Sequence, residues 1–414
     1  MVDKQQGQTE IQFIQEKFKE YYAKNAQTID PPRAVEKREF GFIPLRKEKF
    51  MIRHKKFKNV SQLREFLRSI IPSDVYYSSA YYVEPDQETM DKKNWLGADL
   101  VFDVDCDHVP TPCKKEHDRW RCENCGEIGV GQPPEKCPHC KLQKFYEDAW
   151  LCEKCLDAAK YETLKLIRLL EEDFGFSDSE IYPVFTGHRG YHIHIEAEIV
   201  KKLSSNERKE IVDYVTGSGL KIEFHGFLEG KQGINGPTMT DSGWAGRIAR
   251  ATYTILLEEP EELKSIGLRD DVIKKIVANR DTLIEAWNKG EGWGQIEGIR
   301  KKTWEKIVNK ALKFEAANID TVVTTDIHRL IRLASTLHGK TGFKVAALTI
   351  NRLDTFDPFR DSLAFKDGEL TVVIKHSPAI RIGEQNYGPY IDEKVELPMA
   401  AAMFFLCKGK AILI

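Results

Sequence analysis

The sequence predicts an α/β (α+β) fold interrupted by two insertions, and three features carry that expectation. Runs of β-branched and aromatic residues alternate with amphipathic helical patterns toward both ends of the chain. A block holding eight of the nine cysteines breaks the first α/β stretch, and a charged helical stretch breaks the second. At 414 residues the chain has room for two or three structural units with a substantial core.

Taken in order, "EIQFIQEKFKEYYAKN" reads as an amphipathic helix ending near Asn25, before the breaker "DPPR". "REFGFIP", "FMIRHKKF" and "DVYYSSAYYVEP" read as strands, with a helix, "NVSQLREFLRSI", between the last two. A further strand follows at about 98–105. Residues 106–155 carry the cysteines and little hydrophobic periodicity. "DAAKYETLKLIRLLEEDFGF" is a helix, with Ala159, Leu166, Ile167 and Leu170 at near-helical spacing. "EIYPVFTGHRGYHIHIEAEI" reads as two strands joined by a glycine-containing turn. The segments "SSNERKEIVDYV", "PEELKSIGLRDDVIKKIVANRDTLIEAW" and "IRKKTWEKIVNKAL" are helical and charged. Mixed pattern resumes at "NIDTVVTTDIHRLIRLASTLHGKTGFKVAAL", where "TTDIHRLIRLAS", taken singly, reads as a solvated helix capped by Asp. The expected organisation is a discontinuous core (1–105, 156–200 and 317–414), a zinc-binding module (106–155) and a helical insertion (201–316).

Net charge is −2, so no global basic field advertises nucleic acid, and any such binding must come from local patches. "REFGFIPLRKEKFMIRHKKFKN", residues 38–59, is one candidate patch, or else a solvated face. No apolar run is long enough to span a membrane, and the polar start "MVDKQQGQTE" is not a signal peptide. Clustered cysteines in such a chain favour metal ligation over disulfides, so the expected compartment is reducing cytoplasm.

Cys122, Cys125, Cys137 and Cys140 form two C-x2-C knuckles separated by eleven residues, a zinc-ribbon pattern. Each knuckle turn points two thiolates at one tetrahedral ion. Cys113, His117, Cys152 and Cys155 flank the ribbon and can form a second site of Cys3His type, with Cys106, His108 and His139 as competing ligands. With four protein ligands, zinc in either site is structural.

The candidate chemistry lies in three clusters. "GADLVFDVDCDH" places Asp103 and Asp105 on one face of an apolar strand, about 7 Å apart by standard rise. Buried carboxylates are costly unless paired or metal-bound, and hard oxygen ligands suit Mg2+ or Mn2+; the other reading of this stretch is an exposed strand end running into a loop, where aspartates are common. "TGHRGYHIHI" supplies Arg189, a plausible phosphate grip, with His192 and His194 on one strand face. The third cluster holds Asp320, Asp326, His328, Arg329, Arg332, His338 and Lys340. Acids that hold metals beside cations that hold a triphosphate match two-metal phosphoryl transfer.

The ordered set "REFGF", "YYSSAYYVEP", "GADLVFDVDCDH", "CEKC…EEDFGF", "TGHRGYHIHI" and "DTVVTTDIHRLIRLASTLHGKTG" resembles the small catalytic subunit of archaeal and eukaryotic DNA primases, the archaeal branch best. The resemblance implies a primase-type core with an RRM-like sheet and a metal-binding triad of Asp103, Asp105 and Asp320, with Asp326 as rival for the third place. It implies triphosphate contacts from Thr186 (Ser in the family motif), Arg189, His192, Arg332 and His338, with Glu84 and Lys340 as weaker carry-overs. The family's zinc knuckle matches Cys113, Cys152 and Cys155. Implied partners are a large primase subunit in a heterodimer, single-stranded DNA template, an RNA or DNA primer, and nucleoside triphosphates.

The expected function is therefore synthesis of short primers de novo by two-metal nucleotidyl transfer, with Mg2+ or Mn2+ as catalytic metals and one or two structural Zn2+. A primase-like polymerase of repair or translesion synthesis is the enzymatic alternative. A zinc-ribbon nucleic-acid-binding module without catalysis is the alternative of another class.

Overall fold

The computed structural model describes residues 2–46, 50–230, 233–294 and 299–414. Residues 47–49 of the 38–59 basic patch lie outside the described residues. Two compact units emerge: Met1–Leu164 with Ser177–Arg208 and Ile319–Ile414, and Lys165–Phe176 with Lys209–Asn318.

The first unit contains two four-stranded antiparallel sheets. One runs in the order Leu330–Arg332, Pro72–Ser78, Phe40–Pro44, Ile52–Lys55. Its inner face is aromatic, as the run "FGF" requires: Phe40 packs on Phe57 at 5.2 Å between ring centroids, and Phe42 on Phe66 at 4.9 Å. The helix Val60–Ile70 closes that face through buried Leu63 and Leu67. Asn59 caps it, its side chain accepting a hydrogen bond from the backbone N–H of Gln62.

The second sheet runs in the order Ala346–Ala347, Ile181–Phe185, Gly190–Ile195, Leu100–Asp105. Leu100, Phe102 and Val104 are fully buried, which fixes the register of the last strand and leaves Asp103 and Asp105 half-buried on its other face. In that register Asp103 lies opposite His192, and Asp105 opposite Gly190.

One element differs from expectation. The helix expected over 324–335 does not form: helical structure is limited to a single turn, Thr321–Thr325, capped by Asp320, and Leu330–Arg332 is an edge strand paired with Pro72–Ser78. Local helical pattern there yields to a free sheet edge that satisfies the backbone, a tertiary effect invisible to a short window.

The cysteine-rich segment adds a three-stranded sheet in the order Ile128–Val130, Arg119–Cys122, Phe145–Asp148. A third layer, Glu369–Ser377 between Tyr390–Pro398 and Ala411–Leu413, packs on the largely buried helix Met399–Cys407. The second unit is mainly helical, with its own core around Trp244, Ile248, Trp287 and Trp304.

Candidate active site and metal centres

The turn between Phe185 and Gly190 brings the "TGHRGYH" residues against the acid strand. A Cβ at Gly190 would lie 2.2 Å from the Val104 carbonyl oxygen, so only glycine permits this approach. Gly187 sits at φ +80°, where a Cβ would also strike His338. The Thr186 hydroxyl donates to the Gly190 carbonyl at 3.1 Å, closing the turn.

A cavity of about 280 Å³ is lined by Tyr76, Asp103, Asp105, Thr186, His188, His192, Val323, Arg329, Leu330, Ile331, Arg332 and His338. Asp320 is not part of that lining but adjoins the acid strand: its backbone N–H donates to the Asp103 carbonyl oxygen at 2.8 Å, and its side chain accepts from the Val322 N–H. Burial first, and then the charges of Asp105 and Asp320, push the Asp103 carboxyl up to about 7, with Arg329 and Arg332 opposing. A carboxylate raised by burial and, after it, by like-charged neighbours is in surroundings that fit a cation.

Cationic and neutral donors face the acids. His192 Nε2 lies 3.8 Å from Asp103 Oδ1, and its buried Nδ1 finds no partner among the described residues. Burial holds the rings of His188, His192 and His338 neutral, well below the usual histidine range. His338 Nδ1 accepts from the Lys340 N–H at 3.1 Å, which leaves Nε2 carrying the proton as a donor. The ring stacks on His188 at 4.9 Å. Arg332 pairs with Asp74 and lies over Tyr76, 4.9 Å from the ring centre.

A second pocket, of about 640 Å³, shares Asp105 and His188 with the first; Arg46, Asp107, Tyr146, Arg189, Lys340 and Lys408 also line it. Arg189 is buried and ion-paired to Asp107, with Asp105 at 3.9 Å. Burial lowers the Lys408 ammonium to about 8.

Of the residues singled out from sequence, Asp103, Asp105, Thr186, His192, Arg332 and His338 line the first cavity, and Arg189 and Lys340 the second. Glu84 lines neither; it is half exposed and paired with Lys56 at 2.9 Å. Asp326 caps the following turn, accepting from the His328 N–H. Tyr76, His188, Asp107 and Lys408 went unselected. His188 sat inside a motif already noted and Asp107 two residues beyond the acids, whereas Tyr76 and Lys408 arrive only through tertiary pairing.

Two sets of four ligands could each hold a tetrahedral ion: Cys113, His117, Cys152 and Cys155, and Cys122, Cys125, Cys137 and Cys140. In the first set, Cys113 and Cys155 Sγ are 3.4 Å apart, and Cys155 Sγ is 3.4 Å from His117 Nε2. In the second, Cys122–Cys140 and Cys125–Cys137 stand at 3.5 and 3.6 Å. These approach the edge of about 3.8 Å expected for thiolates around zinc. His117 Nδ1 faces Asp118 Oδ1 at 2.8 Å, and that oxygen also accepts from the Trp150 N–H, which orients the imidazole toward an ion. Cys106, His108 and His139 stand outside both sets. The acids 103, 105 and 320 form no comparably tight three-ligand set; Asp105 instead groups with Cys106 and Asp107.

An acid-bearing antiparallel sheet facing neutral histidines and arginines, beside thiolate zinc sites, is the arrangement of a metal-dependent nucleotidyltransferase. Comparison with known proteins agrees. Residues 136–350 match the DNA primase small subunit family, and residues 120–146 match the rubrerythrin, rubredoxin-like domain. The chain is 33% identical to the DNA primase small subunit PriS of Methanococcoides burtonii, over 96% of this chain and 97% of the relative. It is 32% identical to that of Archaeoglobus fulgidus and 30% to that of Nitrosopumilus maritimus, over 96% and 98% of this chain and 97% and 99% of those relatives. The chain belongs to the DNA primase small subunit family. It is a primer-synthesising enzyme that uses divalent metal for catalysis and carries structural zinc. No helix among the described residues is long and apolar enough to cross a membrane.

Proposed function

We propose that this chain synthesises primers de novo on single-stranded DNA from nucleoside triphosphates, as the catalytic partner of a large primase subunit. The observation that carries the reading is the convergence of Asp103, Asp105 and Asp320 opposite His192, Arg332 and His338. Divalent ions held by the three aspartates would supply Lewis acidity to the attacking hydroxyl and the phosphoryl group. The chain's own groups do the rest. Arg332, anchored by Asp74 and Tyr76, offers fixed positive charge to the triphosphate, and His338 Nε2–H and His192 offer neutral donors. Arg189 and Lys340 serve anionic groups in the adjoining pocket, and Thr186 acts mainly by holding the turn. Glu84 has the weakest claim of the set.

Residues 106–155 act in this reading as a zinc module, with one ion on each four-ligand set, and residues 201–316 as an insertion in a core made of 1–105, 156–200 and 317–414. Nine free cysteines suit a reducing compartment, the cytoplasm.

Asp103→Asn tests the reading on unprimed single strands with Mg2+ or Mn2+. Incorporation is expected to fall at least a hundredfold, with zinc content, melting and oligonucleotide binding retained. Unchanged incorporation would remove Asp103 from catalysis.

A further inference from the structure

The zinc-ribbon sheet has one face that neither the metal nor the core uses. Its strands alternate strictly. Trp120 and Phe145 point inward, packed edge to face at 5.2 Å, with the Trp120 ring lying where a Cβ on Gly129 would be. The opposite face carries Arg121 between its cross-strand partners Ile128 and Tyr146, and Arg119 between Val130 and Asp148. Ile128 is 67% exposed, Val130 56% and Tyr146 54%. The Arg121 guanidinium lies 5.6 Å from the centre of the Tyr146 ring. The acid on this face, Asp148, is ion-paired with Lys410, so the arginines keep their charge uncompensated by it.

The face is continuous with the catalytic region on both sides. Tyr146 and Asp148 line the 640 Å³ pocket that also holds Asp105, Arg189 and Lys408. Val130 lines a separate pocket of about 800 Å³ with Asp107 and the exposed Lys115. A twisted β surface that offers an aromatic face, aliphatic flanks and guanidinium groups matches unstacked bases joined by phosphates. A duplex hides its base faces and fits it poorly.

We propose that the outer face of the ribbon sheet, Arg119, Arg121, Ile128, Val130 and Tyr146, is a stacking platform for single-stranded DNA leading to the acid strand. The proposal rests on the reading of Asp103 and Asp105 as the catalytic end. Tyr146 supplies the π face for one base, Arg121 neutralises a neighbouring phosphate and stiffens the ring, and the flanking aliphatic residues exclude water. The cysteine thiolates hold the three strands together while taking no part in binding.

The test uses the full zinc-loaded chain and fluorescence anisotropy with a labelled oligothymidylate, in the presence of Mg2+. Tyr146→Ala is expected to weaken binding about tenfold, the loss of one stacked base, and Tyr146→Trp to restore it to within about twofold. Arg121→Ala is expected to weaken binding and to reduce the slope of log affinity against log salt by about 0.7, one phosphate contact on a single strand. Zinc content is expected to stay at the wild-type value in all three. Wild-type affinity in both Tyr146→Ala and Arg121→Ala would overturn the proposal. So would unchanged oligonucleotide affinity with weakened association to a second polypeptide subunit, which would make the face a protein interface. Failure of the catalytic reading looks different: Asp103→Asn would then keep full incorporation, whatever Tyr146→Ala does to binding.

Discussion

His194 lies one pleat beyond His192 on the same strand, buried, with its Nδ1 3.5 Å from the Tyr77 hydroxyl. Burial lowers this imidazole to about 4, the positive charge of Arg38 adding to the effect and Asp99 opposing it. A histidine whose folded pKa lies below its unfolded value stabilises the native state fully above about 6.5. That stability is lost as pH falls through the window toward 4, at up to about 1.4 kcal/mol per pH unit. His194→Phe keeps a flat ring against Tyr77 and removes the titration. Its melting temperature is expected to fall less steeply than wild type between pH 6.5 and 4, with the two converging in slope above pH 7; parallel curves throughout would exclude His194 as the source. At this scale the placement of the two acids on the strand is readable from the sequence. Asp103 and Asp105 stood out because a period of two puts both on one face of an apolar strand, and carboxylates are costly there. Tyr76 was not readable, because only the pairing of Leu330–Arg332 with Pro72–Ser78 sets Arg332 over its ring.

Among the elements, the two C-x2-C pairs of the ribbon and the flanking Cys3His set differ in how the chain assembles them. The ribbon closes within nineteen residues, Cys122 to Cys140, from its own tight turns. The outer set joins Cys113 and His117 to Cys152 and Cys155 across the whole ribbon and ties the start of the helix Glu153–Phe174 to the segment following the acid strand. Cys122→Ser and Cys152→Ser are each expected to lower bound zinc from two ions per chain to one, measured by elemental analysis after desalting. Cys152→Ser is expected to cost more melting temperature, since its ion closes the longer loop. Equal loss of both ions in either variant would mean a single shared centre. Spacing made the ribbon legible because its ligands are local. The segment 324–335 is not legible, because a sheet edge supplied by residues 72–78 outcompetes a helix that would satisfy the same backbone groups internally.

At the scale of the molecule, the helical unit has a core of its own, in which Trp304 is fully buried and packs, tilted, against Trp293 at 5.2 Å between ring centres. Arg247, almost fully buried, is held there by Asp173 at 2.8 Å and Glu172 at 2.7 Å. A buried cation of this sort is tolerated only with its partners in place. Four of the seven tryptophans, Trp244, Trp287, Trp293 and Trp304, belong to this unit, so intrinsic fluorescence reports mainly on it. Trp304→Ala is expected to destabilise the fluorescence-detected transition by about 3–5 kcal/mol. Zinc, whose proposed ligands all lie in the other unit, is expected to remain bound at 25 °C. Zinc loss in step with the fluorescence change would show that the two units unfold together.

The class of chemistry was written in local pattern. Apolar alternation made strands, acids on one strand face pointed to a metal shelf, and cysteine spacing pointed to zinc sites, because each of these signals acts over a few residues. The tertiary structure alone decided which distant side chains meet. It brought Asp320 under Asp103 across more than two hundred residues, stacked His338 on His188, and buried the histidines into neutral donors. It also turned the outer face of the ribbon toward the pockets beside "GADLVFDVDCDH". Contacts of that range depend on sheet register and on competition for buried surface, which are properties of the whole packed chain rather than of any window within it.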